Sequence, residues 1–243
     1  MSWHLGRLAG FDTETTGTNV ETDRIVSACV VQCGGNHPTQ TATWIADPGI
    51  EIPAEAAKVH GITTERARAE GRPAAEVVEQ LVAALIQVQR EEIPLVIMNA
   101  SYDLTILDRE ARRYGVQPLT DVIDLGHLRV IDPRVLDKQL SRRRGKRTLT
   151  DLCAHYEVKL DGAHDSAADA LAACRVAWRI GSQYPRIGGL DVHALTVAQA
   201  GWAAEQGESL ADYFRRTPGK AHLADGVRTE WPLIPAQRGG EPA

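Results

Sequence analysis

Asp12 and Glu14 stand two residues apart in Phe11-Asp12-Thr13-Glu14-Thr15-Thr16-Gly17, directly after the apolar approach Leu8, Ala9, Phe11. If that approach is a strand, its period of two sends both carboxylates to one face. Like charges so close repel, and one is driven toward protonation unless a cation lies between them. Carboxylate oxygens suit hard divalent ions such as Mg²⁺ or Mn²⁺. A solvated acidic strand end followed by a Thr-Thr-Gly turn accounts for the same residues, so the pair alone decides nothing.

Two further groups could join it. Asp103 closes Asn99-Ala-Ser-Tyr-Asp103, just after the apolar run 95–98. That places it at a helix start near the C-terminal edge of a strand, where open α/β sheets build ligand sites. Taken alone, Asp103 equally suits the helix dipole. His164 and Asp169 follow a Gly162-Ala163 turn, with His164 in the loop and Asp169 about one turn inside an Ala-rich helix. A helix-terminal charge and an ordinary surface or core histidine are the plainer alternatives.

The elements that must position these residues are legible in outline. Residues 8–14, 24–32 and 39–45 read as strands joined by short connections, hence as antiparallel neighbours. A short helix is expected at 53–58, and a firmer one at 73–89 with Val78, Leu81, Val82, Leu85 and Ile86 on one face. Residues 95–98 suit a buried strand, 102–114 a helix ended by Gly115, and 122–124 one more short strand. Helices follow at 148–156, opened by a Thr cap, and at 166–183. The expected class is α/β, a mixed five-stranded sheet flanked by helices. After Tyr184-Pro185 the composition changes: residues 194–216 read as helical, and 228–243 as a Pro- and Gly-rich frayed tail. The division expected is a domain over 1–184 and a mainly helical extension over 185–243.

Taken together, Asp12, Glu14, Asp103, His164 and Asp169 resemble the motif set of the DEDDh 3′–5′ exonucleases, a family of ribonuclease H-like fold that includes epsilon-type proofreading subunits. The first motif, Phe-Asp-x-Glu-Thr-Thr-Gly, stands unaltered; Asn99-x-x-x-Asp103 matches the second and His164-x4-Asp169 the third. Val59-His60-Gly61-Ile62-Thr63 looks like a segment of epsilon-type members, and the likeness covers roughly residues 7–183. The resemblance implies hydrolysis of single strands from the 3′ end to nucleoside monophosphates, with two divalent ions, Mg²⁺ or Mn²⁺, about 3.5–4 Å apart. By resemblance Asp12 would bridge both ions, Glu14 and Asp169 would hold the nucleophile side and Asp103 the leaving-group side. His164 would take the proton of the attacking water. Thr15, Thr16, Gly17, His60, Asn99 and Tyr102 would meet the terminal nucleotides, Tyr102 by stacking. Met98 and Tyr102 depart from the pattern, which commonly has histidine and phenylalanine there.

The Val59–Thr63 likeness favours DNA, in proofreading or repair, over an RNA-directed relative of ribonuclease T or oligoribonuclease type. A polymerase- or repair-associated binding module of weak activity, docked through 186–243, is the reading from another class.

The bulk composition, 43% hydrophobic and 24% charged over 243 residues, is that of a globular chain long enough to bury a core. No apolar run reaches bilayer length and no secretory signal is visible, so a cytoplasmic, membrane-free protein is expected. Four cysteines lack metal-ligand spacing, and Cys29 and Cys33, four apart on an expected strand, read as small buried apolar groups rather than a disulfide. The net charge is −5, yet residues 129–147 hold eight basic and two acidic residues, five of the basic ones within 141–147. That cluster could hold a phosphate backbone or be a solvated loop.

Overall fold

The computed structural model describes residues 2–160 and 165–236. Its centre is a mixed sheet of six strands in the order β4-β3-β2-β1-β5-β6. β1 (Arg7–Thr15), β2 (Ile25–Gly34) and β3 (Gln40–Asp47) form the antiparallel meander that the short connections predict. After α1 (Ala54–His60) and α2 (Thr64–Glu70), β4 (Arg72–Pro73) joins the end of β3 in parallel. Then come α3 (Ala74–Arg90), β5 (Leu95–Val96) beside β1, α4 (Ala100–Tyr114), the single turn α5 (Leu119–Val122) and β6 (Val130–Ile131). The helices α6 (Pro133–Leu140), α7 (Leu149–His155), α8 (Ser166–Gln183), α9 (Pro185–Gly188) and α10 (Val192–Arg216) follow, and a 3₁₀ helix at Ala221–Gly226 leads into the tail.

The sheet is covered on both faces, which explains why β2 reads as a nearly continuous apolar run rather than an alternation. Ala9 and Phe11 of β1 pack with α3 and α4, through Val77, Leu81, Leu85 and Leu104 among others. Leu8, Cys29 and Val31 face the other way, onto the small side chains Ala170, Ala173, Cys174 and Ala177 of α8. Among the cysteines, Cys29, Cys153 and Cys174 are buried, Cys33 is partly exposed and all four are free thiols.

Two sequence expectations need correction. Residues 122–124 are no strand: Leu119–Val122 forms a helical turn after Pro118, and Asp124 caps the following 3₁₀ turn through the Gly126 amide. The strand lies at Val130–Ile131, a two-residue apolar signal inside a basic stretch that gains its register only from Leu95–Val96. The sheet also has six strands rather than five, because Arg72–Pro73 pairs with Ala46–Asp47 at an edge where proline is tolerated.

The extension is built into the sheet's margin. Beyond β6, where another strand would lie, α10 supplies side chains as partners. Thr196 Oγ1 accepts from the Val130 amide at 3.1 Å, Gln199 Oε1 accepts from the Asp132 amide at 2.8 Å, and Gln199 Nε2 donates to the Val130 carbonyl at 2.8 Å. Both side chains are buried, so the sheet edge is satisfied without a strand. The segment expected to fray also packs down over part of its length. Leu233 joins the core, the Ile234 amide donates to Thr105 Oγ1, and Trp231 Nε1 donates to Asp132 Oδ2. Among the described residues no helix is long and apolar enough to cross a membrane.

Candidate active site

Strand alternation does to Asp12 and Glu14 what their spacing requires: both leave β1 on the α8 side, near its C-terminal end. The register slips between Glu14 and Thr15, where β2 carries one extra residue, Val26, and pairing resumes at Thr15 opposite Ile25. Asp169 arrives from the first turn of α8, whose N-terminus is capped by Asp165 through the Ala167 and Ala168 amides at 3.0 Å. Gly10 makes the meeting possible. A Cβ there would lie 2.4 Å from the Ala170 carbonyl oxygen, so only glycine lets α8 approach β1 this closely. Carboxylate oxygens of Asp12, Glu14 and Asp169 consequently lie within 4.8 Å of one another.

Asp103 reaches the same strand from α4 on the opposite layer. Its Oδ1 accepts from the Thr13 amide at 3.0 Å and from Thr13 Oγ1 at 2.7 Å. The geometry has a simple origin. Ala9 donates its amide to Pro94 on the β5 side, and β5 pairs with β1 only as far as Gly10. Where β5 has ended, the carboxylate of Asp103 takes the place of the next carbonyl in the ladder. Sequence reading missed this role of Thr13, although it is the middle residue of Asp-x-Glu.

The electrostatics follow from crowding. Burial first, then the charges of Asp103, Glu14, Asp169 and Asp165, hold Asp12 well above the ordinary carboxylate range. Burial with Asp169, Asp103 and Asp165 pushes Glu14 to about 8. Asp103 is raised to about 7 by burial, although the Thr13 hydrogen bonds pull the other way. No lysine or arginine among the described residues forms an ion pair with Asp12, Glu14 or Asp103. An oxygen-only donor set with this much unbalanced negative charge fits hard divalent cations.

The other expected site residues fall on three elements. Tyr102, on α4, donates its hydroxyl to the Gly17 carbonyl at 2.6 Å and lies 2.6 Å from Thr15 Oγ1, so its ring is fixed beside the end of β1. Burial pushes that phenol up to about 12. Thr16 is buried; its amide donates to the Arg24 carbonyl and its hydroxyl to Asp23 Oδ1 at 2.9 Å. A Cβ on Gly17 would lie 2.6 Å from Asp23, so this glycine also serves the packing of its own loop. Asn99 caps α4 in the left-handed region at φ 66°, with its amide on Asp132 Oδ1 and its Oδ1 accepting from Arg134. His60 ends α1, and its Nδ1 accepts from the Ile62 amide at 3.2 Å. His164 lies outside the described residues.

Comparison with known proteins agrees with this architecture. Residues 9–177 match the family model RNase_T, described as exonuclease. The uncharacterised exonuclease CP81 of Escherichia phage 186 is 34% identical over 106 residues, 44% of this chain and 50% of that protein. A solved structure of exonuclease I superposes with a TM-score of 0.63 at 18% identity, over 76% of this chain and 42% of that one. E. coli exonuclease I in complex with a dT13 oligonucleotide gives a TM-score of 0.61 at 18% identity, over 74% and 42%. The chain thus spans half the length of the phage relative and less than half of exonuclease I. The family match runs from before Asp12 to beyond Asp169, and the chain belongs to the RNase_T exonuclease family, of DEDDh type.

Proposed function

We propose that this protein is a metal-dependent 3′–5′ exonuclease that shortens single-stranded DNA and releases nucleoside monophosphates. The observation that carries the reading is the convergence of Asp12, Glu14, Asp169 and Asp103 on one strand end, where burial first and neighbouring carboxylates after it raise the proton affinities of Asp12 and Glu14. Asp12, Glu14 and Asp169 would hold one divalent ion, and Asp12 with Asp103 a second. Bound there, Mg²⁺ or Mn²⁺ ions would activate water and offset charge on the transferring phosphoryl group.

The protein's own groups then have separate tasks. Thr13 fixes Asp103 through two hydrogen bonds, so that carboxylate needs no reorganisation when substrate arrives. Tyr102, held by Thr15 and Gly17, offers a ring on which the terminal base could stack, and Thr16, His60 and Asn99 are the further expected contacts. His164, assigned from sequence alone, would accept the proton as water attacks phosphorus. The P–O3′ bond breaks, the new 3′ oxygen takes up a proton, and a 5′-monophosphate leaves. The division into 1–184 as catalytic domain and 185–243 as extension belongs to the same proposal. The dT13 and dA16 complexes of exonuclease I favour DNA over RNA as the strand.

The test is digestion of a 5′-labelled oligonucleotide with Mg²⁺ or Mn²⁺. A ladder shortening from the 3′ end is expected, lost in Asp12→Ala and His164→Ala. An intact label with either ion sinks the proposal, and faster cleavage of RNA of the same sequence overturns the DNA assignment.

A further inference from the structure

The basic stretch after β6 is divided by the fold into two sets. Arg143 and Arg147 turn inward onto the fully buried Asp137, at 3.0 and 2.8 Å, and the Tyr156 hydroxyl donates to the same carboxylate at 3.0 Å. Those two arginines hold the 141–147 loop against α6. Arg134, Lys138 and Lys146 stay exposed, and among the described residues none lies within ion-pair distance of a carboxylate.

These three line one open groove of about 540 Å³ together with Arg147, Met98 and Asn99, and among the described residues no Asp or Glu lines it. Charge crowding is felt inside it: burial first, then Arg134 and Arg147, lowers the pKa of Lys138. The groove has a defined start. Met98 packs with the α8 side of the core, and Asn99 precedes Asp103 by four residues, about 6 Å along a helix axis. Leu210 of α10 stands on its wall, so the extension helps to shape it. A cationic trough whose Arg134, Lys138 and Lys146 have no carboxylate partner among the described residues, starting at Asn99 one helical turn before Asp103, matches a polyanion whose end lies in the carboxylate cluster.

We propose that the α6–α10 groove is a phosphate track for the part of the single strand upstream of its 3′ end, with Lys138 and Lys146 as its principal contacts. The inference rests on the exonuclease reading. It adds that grip on long strands is separable from chemistry at the end.

The test measures binding of a fluorescent oligothymidylate of about 20 nucleotides in EDTA, where no hydrolysis occurs. Lys138→Gln with Lys146→Gln should weaken binding about five- to tenfold and reduce the slope of log affinity against log salt by about 1.4, two phosphate contacts' worth. Hydrolysis of the p-nitrophenyl ester of thymidine 5′-phosphate by the same variant should stay within about twofold of wild type. Lys138→Arg with Lys146→Arg should restore binding. Unchanged affinity for the long strand, or equal loss on the small ester, overturns the track. A wild-type protein that binds the strand in EDTA and never cuts it with metal would instead refute the nuclease reading and leave the track standing.

Discussion

Asp12 illustrates the cost that a hydrolytic site imposes on its own fold. Burial and four neighbouring carboxylates raise its proton affinity, and without a cation that repulsion is carried by the folded state alone. Asp12→Asn keeps the shape and removes the charge. The metal-free variant should melt higher than wild type, at about 2–4 °C per kcal/mol for a chain of this size, while losing activity. Calorimetry in EDTA reads it, and a lower melting temperature would contradict the assignment. The pH dependence has a definite sign. Glu14 titrates near 8 and Asp103 near 7 in the fold, against 4.5 and 3.8 ordinarily. Both are raised, so their contribution is fully present below the unfolded values and is lost as pH rises through about 4–8. Metal-free wild type should therefore lose stability across that window, Asp12→Asn should lose less, and added Mn²⁺ should flatten the profile.

At the scale of elements, the site depends on how closely α8 lies against β1. Gly10→Ala would place a methyl group 2.4 Å from the Ala170 carbonyl oxygen and 2.9 Å from Cys174 Sγ, so the helix must move. The expected cost is about 1–3 kcal/mol of stability, with roughly a hundredfold loss of activity if Asp169 shifts by about 1 Å. Gly201→Ala, in α10 with open space around it, is the control and should be neutral or stabilising. Retained activity in Gly10→Ala would show that the approach does not position Asp169. Most of these elements are legible in the sequence, because β1, β2, α3 and α8 carry strong periodicity or long apolar runs. The carboxylates of the site are legible for the same reason, since they sit at fixed offsets from those elements. What escapes is two-residue structure. β4 and β6 owe their existence to partners distant in the chain, and no local pattern announces a strand so short.

At the scale of the molecule, the extension is tied to the sheet's margin and to α4 through particular side chains. Asp132 shows how: it accepts from the Asn99 and Ala100 amides at the start of α4, from the Arg134 amide at the start of α6, and from Trp231 in the tail. The next turn of the tail is tied to α4 as well, with Arg109 donating to the Ile234 and Pro235 carbonyls at 3.1 and 3.2 Å. None of this is visible in a Pro-rich stretch whose apolar residues are isolated, because the pattern has no period and its partners lie about a hundred residues upstream. Leu233, 7% exposed, fills the space against α4. Leu233→Ala should therefore cost about 2–3 kcal/mol and lower the melting temperature by roughly 5–10 °C. If the tail, α10 and the sheet share one core, unfolding should remain a single transition that moves as a whole, with circular dichroism and tryptophan fluorescence coinciding. Two separated transitions, only the lower of them shifted by the substitution, would instead make the extension an independent unit resting on an autonomous sheet.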